Sequence, residues 1–455
     1  MYDDTIIAIS TPPGYGGLGI IRLSGPKAIQ IARKIFKPYN KKRGIPKKHP
    51  VLGNLYNFET KEFFDEAYLT YFPSPHTYTR EDIIEISGHG SPVLLEEAVR
   101  LGIKAGARLA NKGEFTLRAF LKGRIDILQA ESIKNLISAS SLTGAKISFN
   151  QMKGGLSRRI QSIRNQIVKI LSRIEACLEF PDENLHINSK QIQRTLSRTI
   201  YEVNELIKTY PRGKALSEGI VLTILGRTNV GKSTLFNSLI KSERAIVTPY
   251  PGTTRDYLKE NLRLGDTLFS LIDTAGLTVP ANSVEKESMK KGRKQAKYAD
   301  GVLLMLDSSR EETKEDLKLL HDSSDKKVII LFNKIDLPKK INEKKILNAL
   351  PNSRSLEISA LKGTNIESLK QEILSTFIPE EQNSDETILH LRQKLILEEI
   401  SIALKEGSQL IENGYPDEIC AEEIRQAISL VGRLTGEIRT DEILNETFGS
   451  FCVGK

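Results

Sequence analysis

Cysteine is scarce in this chain. Cys177, Cys420 and Cys452 are three thiols in 455 residues, odd in number and far apart. Such a set cannot be the disulfide framework of a fold and points to a reducing cytoplasm. None has the spacing of a zinc site. Long apolar runs are missing too. Nothing approaches the roughly 18 residues that a membrane span needs. The longest strings, such as residues 301–306, are short, end in turn or polar residues, and read as buried strands. The opening Met1-Tyr2-Asp3-Asp4 is acidic and leads into no apolar core, so no secretory signal is expected. No internal repeat of about 20–50 residues is visible.

What is present is ordinary in bulk. Hydrophobic residues make up 39%, enough for globular cores, and the length exceeds one core, so about three domains are expected. A net charge of +9 suits an RNA partner as well as it suits a lysine-rich solvated surface.

The pattern changes along the chain. Up to about residue 118, short β-rich runs alternate with Gly and Pro; residues 5–9, 19–23 and 83–86 read as strands. Residues 40–48 form a basic loop. From about 120 to 210 the period turns helical. Leu156, Ile160, Ile163, Ile167, Ile170, Ile174 and Leu178 alternate steps of three and four, one apolar stripe on a long helix. Leu196, Ile200, Val203, Leu206 and Tyr210 continue it. Residues 219–377 alternate strands and helices. After Pro379 the helical pattern returns, and Leu391, Leu395, Ile396, Glu399, Ile402 and Ala403 are expected to share one face. The expectation is α/β plus all-α: an N-terminal domain (1–119), a discontinuous helical domain (120–218 and 378–455), and an inserted P-loop domain (219–377) with a mostly parallel sheet.

The inserted domain carries the chemistry. The buried-strand run at 220–225 leads into Gly226-Arg227-Thr228-Asn229-Val230-Gly231-Lys232-Ser233, then Thr234. In this G-x-x-x-x-G-K-S pattern the backbone N–H groups curl around phosphates. Lys232 reaches the β and γ oxygens, and Ser233 offers a hydroxyl to Mg²⁺. A helix N-terminus adds a favourable dipole. Asp273-Thr274-Ala275-Gly276 follows a strand; the Asp suits a Mg²⁺-bound water, and the Gly276 N–H suits the γ-phosphate. Asn333-Lys334-Ile335-Asp336 follows another strand, and Asp336 can accept the N1 and N2 protons of guanine, a donor pair that adenine lacks. Ser359-Ala360-Leu361 fits the loop that backs the base. Between these, Thr248-Pro249-Tyr250-Pro251-Gly252-Thr253-Thr254 contains Thr254, a second hydroxyl for Mg²⁺. Leu277 follows Gly276 where small signalling GTPases place a water-orienting Gln, and no arginine finger is identifiable. Asn229 is a candidate oxygen ligand for a monovalent cation that would supply the missing positive charge.

With those motifs in place, the whole chain resembles the MnmE (TrmE) family of tRNA modification GTPases. Residues 11–25 (TPPGYGGLGIIRLSG), 78–90 (YTREDIIEISGHG) and 113–121 (GEFTLRAFL) resemble family signatures, and the ending Phe451-Cys452-Val453-Gly454-Lys455 is similar to the family's Cys-x-Gly-Lys. The resemblance implies an N-terminal domain that binds a tetrahydrofolate and dimerises, a helical domain and a Ras-like G domain. It implies a cytoplasmic homodimer that, with the flavoprotein MnmG (which carries FAD) in a heterotetramer, adds an aminomethyl-type group to C5 of wobble uridine in certain tRNAs. The one-carbon source would be 5-formyl- or methylene-tetrahydrofolate. GTP hydrolysis would depend on K⁺. Carried over by position, Asn229, Thr248, Tyr250 and Thr253 resemble K⁺ ligands, Ser233 and Thr254 match Mg²⁺ ligands, and Glu285 matches the glutamate that orients the attacking water. Arg22, Glu85, Arg124 and Lys455 match folate positions. Cys452 is read either as a reactive thiol near the folate or as a small residue in a docked tail. Tyr15 stands where the family has Arg, and Thr228 where Pro is common.

The competing reading is an RNA-associated GTPase switch without modification activity, as in ribosome assembly. A second G domain or a GxxG RNA-binding loop would favour it, and the sequence has neither.

Overall fold

The computed structural model describes residues 3–40, 44–179, 189–243, 258–273, 299–378, 386–438, 444, 447–449, 451 and 453–454. The chain forms two compact units. One takes residues 1–134, 151–195 and 403–455, and the other takes 135–150 and 196–402.

The first unit is built on a seven-stranded sheet. Its strands are β1 (Ile6–Ile9), β2 (Gly16–Ser24), β3 (Phe36–Pro38), β4 (Val51–Asn57), β5 (Glu62–Phe72), β6 (Ile83–Gly90) and β7 (Arg108–Leu109), in the order β3-β4-β5-β6-β2-β1-β7. All neighbours are antiparallel except β1 and β7. Alternation decides the faces. Ile21, Leu23, Ile84 and Ile86 point into one core with Ile31, Ile35, Leu95 and Val99 of the helices Ala28–Ile35 and Pro92–Lys104. Residues of opposite parity, Arg22 and Glu85 among them, therefore project from the other face. Within the same unit the apolar stripe on helix Gly155–Glu179 is buried from Leu156 to Ile174, as its spacing requires. Helix Asp417–Thr435 contributes Arg425, whose guanidinium lies 2.9 Å from Glu175 of that helix.

The second unit contains a six-stranded sheet: β8 (Ile220–Leu225), β9 (Leu258–Leu264), β10 (Thr267–Asp273), β11 (Gly301–Asp307), β12 (Lys327–Asn333) and β13 (Arg354–Ile358), in the order β13-β12-β11-β8-β10-β9. All pairs are parallel except the β9–β10 ribbon. Continuous apolar runs such as Gly301–Asp307 are buried on both faces, the mark of a parallel sheet covered by helices. Leu222, Ile224, Leu303 and Leu331 pack with Leu235, Leu369 and Ile373; Leu304, Ile330 and Phe332 pack with Leu319, Leu320 and Ile346.

One expected face differs. On helix Leu391–Glu412 the buried apolar side chains are Ile396, Leu397, Ile400, Ala403 and Leu404, while Leu391, Leu395 and Ile402 are about half exposed. Apolar residues lie on several sides of this helix, so periodicity alone does not select the face that packs. No helix among the described residues is long and apolar enough to cross a membrane.

Candidate functional site

The phosphate loop starts where β8 ends, at the carboxyl edge of the parallel sheet, and its last residues open helix Lys232–Glu243. Asn229 sits at φ +60° and Gly231 at φ +105°. A Cβ on Gly231 would run into Asn333 Nδ2, so the glycine is required by a neighbour as well as by its conformation. That contact is part of a stitch. Asn333 Nδ2 donates to the Val230 carbonyl at 2.7 Å, and its Oδ1 accepts from the Ala360 N–H at 2.9 Å. One buried side chain thus ties the phosphate loop to the loop expected behind the base. Lys232 is buried, and its ammonium donates to the carbonyls of Gly226 at 2.8 Å and Arg227 at 2.7 Å. Its charge is held at the mouth of its own loop.

The base end is equally built. Asp336 Oδ1 accepts from the Ser359 hydroxyl at 2.6 Å, and the Ser359 oxygen accepts from Lys362 N at 3.2 Å. The Ser359 hydrogen bond holds the Asp336 carboxyl below its ordinary range, so it is an acceptor at neutral pH. Lys334 takes φ +66°, and its ammonium lies 2.6 Å from Asp307 at the end of β11. Burial pushes Asp307 up, but Lys334 and Ser309 outweigh it and the carboxyl stays ionised. Leu361, beside Ala360 in sequence, is exposed. Asp273 is the last residue of β10, paired with Ile224 of β8, which brings its backbone beside the phosphate loop.

A second constellation lies on the other face of the seven-stranded sheet, where Ile6 and Ala8 pack with Phe115. Arg22 and Glu85 are directly opposite one another on β2 and β6. Both Nε and Nη2 of Arg22 reach the same carboxylate oxygen, at 2.9 and 2.8 Å, leaving Oε2 for another donor. Arg124 donates to the Tyr78 carbonyl at 3.1 Å and stacks over the Tyr78 ring at 4.8 Å. The Tyr78 hydroxyl meets Thr116 at 2.9 Å, and burial raises its pKa. The C-terminal tail arrives here. Gly454 offers its carbonyl to Ser10 Oγ at 3.2 Å and to Arg22 Nη1 at 3.4 Å, and Val453 bridges to Lys112. Gly454 takes φ +94° and lies so close to the Ile9 carbonyl that no Cβ fits. Phe448 and Phe451 anchor the tail in a core with Phe120, Ile127 and Ala130.

Residues 5–124 match the family described as "GTP-binding protein TrmE N-terminus", and residues 127–452 match "MnmE helical domain". The tRNA modification GTPase MnmE of Aquifex aeolicus (strain VF5) is 37% identical over 454 residues, covering 99% of this chain and 100% of that protein. The enzyme of the same name from Thermoanaerobacter sp. (strain X514) is 38% identical over 460 residues, covering 100% of each. This chain belongs to the MnmE (TrmE) family of tRNA modification GTPases. Among solved structures, Aquifex aeolicus Era aligns at 27% identity with a TM-score of 0.29, over 40% of this chain and 66% of that one.

The structure joins the MnmE-family positions Arg22 and Glu85, sets Arg124 on Tyr78, and separately brings Asn229 through Ser233 together with Asn333, Asp336, Ser359 and Ala360. Thr248, Tyr250, Thr253, Thr254, Thr274, Ala275, Gly276, Leu277, Glu285, Cys452 and Lys455 lie outside the described residues, as do Pro249, Pro251 and Gly252. Among the described residues no group of three or more His, Cys, Asp or Glu is placed to hold a metal.

One cluster was not anticipated. Arg118 is fully buried, and its guanidinium reaches Asp4 at 2.7 Å, Glu114 at 2.9 Å and Glu81 at 3.2 Å. Ser24 donates to Glu81 at 2.7 Å and meets Thr79 at 2.6 Å. The three N-terminal signatures therefore meet twice, once around Arg22 and once in this buried charge network. The only sequence signal was charge inside otherwise apolar motifs.

Proposed function

We propose that this chain binds and hydrolyses GTP and couples that cycle to modification of tRNA. With the flavoprotein MnmG and its FAD, it would add a carboxymethylaminomethyl or aminomethyl group at C5 of wobble uridine. A 5-formyl- or methylene-tetrahydrofolate would supply the one-carbon unit. The working form would be a homodimer, joined by MnmG in a heterotetramer.

The observation that carries this reading is the C-terminal tail on the N-terminal sheet. A GTPase switch alone has no use for a Gly454 carbonyl seated on Arg22 beside a half-occupied Glu85 carboxylate. The donor set fits a reduced folate. A carboxylate with one free oxygen suits the amino-pyrimidine edge of a pterin, and Arg124 or Lys455 suits the glutamyl carboxylates.

The nucleotide site fits GTP in the same sense. Asp336, held ionised by Ser359, would take the guanine N1 and N2 protons. Lys232 would leave its loop carbonyls for the β and γ oxygens. Ser233 and Thr254 would hold Mg²⁺, and Asp273 would act through its water. Asn229, with Thr248, Tyr250 and Thr253, would hold K⁺. That ion would supply positive charge where Leu277 offers none and where no arginine finger is identifiable in the sequence. Glu285 would orient the attacking water, and the Gly276 N–H would meet the γ-phosphate.

The test is a strain lacking its own gene of this family, supplied with this chain. Mass analysis of its tRNA should recover the modified wobble nucleoside. Full GTP turnover with no modified nucleoside would leave a GTPase switch instead.

A further inference from the structure

The ribbon formed by β9 and β10 joins two distant points of the second unit. Seven residues of each strand pair in register, from Leu258 opposite Asp273 to Leu264 opposite Thr267. At about 3.4 Å per residue the ribbon is roughly 20 Å long. One end is Asp273, the residue expected to hold Mg²⁺ through a water. In sequence, β9 follows the stretch that contains Thr254. The far end is a two-residue turn, Gly265-Asp266, with Gly265 at φ +54° as such hairpin turns ask.

That turn does not end in solvent. Asp266 accepts from the backbone N–H groups of Leu142 at 2.9 Å and Thr143 at 2.6 Å, the first residues of helix Leu142–Met152. Arg263 on β9 donates to the Ser140 carbonyl at 3.0 Å. Ser141, the residue before the helix, caps it from within, its Oγ accepting from Gly144 N at 2.8 Å, and the carboxylate from the strand turn takes the two N–H groups that Ser141 leaves, those of Leu142 and Thr143. The same five-residue segment is gripped from a second side. Ser141 Oγ donates to the Leu216 carbonyl at 2.9 Å, and Gly144 is so close to that carbonyl that no Cβ fits. Leu216 lies in helix Tyr210–Glu218, which passes through Gly219 into β8 and so to the phosphate loop. Residues 140–144 therefore touch both the ribbon tip and the helix that leads to the phosphate loop.

We propose that Asp266 is a positioning residue that reports the nucleotide state of the ribbon to helix Leu142–Met152, through the two backbone hydrogen bonds it accepts there. This rests on the GTPase reading and names how that site is coupled to the rest of the chain. A strand pair locked at seven positions slides or tilts as one body. Any shift at Asp273 is felt at Asp266, and a cap holding two N–H groups on one carboxylate tolerates little displacement before a bond is lost.

Hydrogen exchange on the full chain tests it directly, because the amides of Leu142 and Thr143 are the donors. GDP and a non-hydrolysable GTP analogue, each with Mg²⁺ and K⁺, should give exchange rates at these amides that differ by about fivefold or more. In Asp266→Asn, which keeps the volume but faces one donor with a donor, the difference should collapse. Asp266→Glu should restore part of it. In the same variants, GTP turnover should stay within about twofold while wobble modification falls about fivefold or more. Equal exchange in both nucleotide states of the parental chain would overturn the proposal, and so would a state difference that survives in Asp266→Asn. A parental chain with state-dependent exchange but no wobble modification leaves the relay standing and removes the modification reading.

Discussion

Asp336 is already engaged before any base arrives, and the engagement sets its chemistry. The Ser359 hydroxyl fixes Oδ1 and leaves the rest of the carboxylate for two parallel N–H donors. Asp336→Asn should therefore weaken GTP binding by roughly ten- to a hundredfold and shift preference toward xanthine nucleotides, whose edge is complementary. Titration with a labelled nucleotide decides it, and unchanged GTP affinity removes Asp336 from the base site. Asn229, held at φ +60°, is exposed at the loop. Turnover should be much faster in K⁺ than in Na⁺ at equal ionic strength, and Asn229→Ala should flatten that contrast. Glu285→Ala should lower kcat and spare nucleotide affinity, because a water-orienting group acts on the transition state. Parental turnover in that variant would return Glu285 to an ordinary surface acid. Asn229 and Asp336 could be singled out in the sequence because short motifs fix their spacing, whereas Glu285 was reached only through the family resemblance. Arg118 and Glu81 were not legible. They lie 37 positions apart, and two charges at that separation leave no periodic trace.

At the scale of elements, the strands that present the nucleotide motifs could be read as apolar runs closed by Gly, Asp or Asn. The helix Gly155–Glu179 could be read because only one side is apolar. Helix Leu391–Glu412 could not be oriented for the opposite reason. The buried network among β1, β2, β6 and helix Glu114–Leu121 carries its own prediction. Arg118→Ala removes one partner from buried acids and should cost about 3–5 kcal/mol in a denaturant melt. Asp4 and Glu114 give that network a pH dependence. Burial raises both carboxyls, but Arg108 and Arg118 outweigh it and hold both below their ordinary values. The unfolded chain therefore takes up protons first as pH falls. The stability these acids contribute is whole above Glu114's ordinary value of 4.5 and drains away as pH drops through the lowered folded values. A thermal melt series from neutral pH to pH 3 should show the loss confined to the acid end. A melt equally lowered at neutral pH would contradict it.

For the molecule as a whole, the tail is the element that sequence alone could only match to a family ending. Phe448 and Phe451 look like two more apolar residues until Phe448 is seen packed on Phe120 and Phe451 on Phe448. Removing residues 451–455 should weaken binding of 5-formyltetrahydrofolate in calorimetry and abolish wobble modification. GTP turnover should persist, since the six-stranded sheet and its helices carry the nucleotide motifs on their own core. Full-strength folate binding by the shortened chain would take the tail out of that site.

Ser10 and Gly454 are 444 residues apart, yet share a hydrogen bond. At ribosomal speeds of about 5–20 residues per second, Ser10 waits roughly 20–90 s for its partner to be made. The N-terminal sheet can fold and leave the ribosome long before then, but the cluster around Arg22 stays unfinished until Gly454 has been made. Chains that stop short of Gly454, however well folded, would lack that part of the cluster. Completion of this cluster thus marks the late arrival of Gly454 and not the folding of the N-terminal sheet.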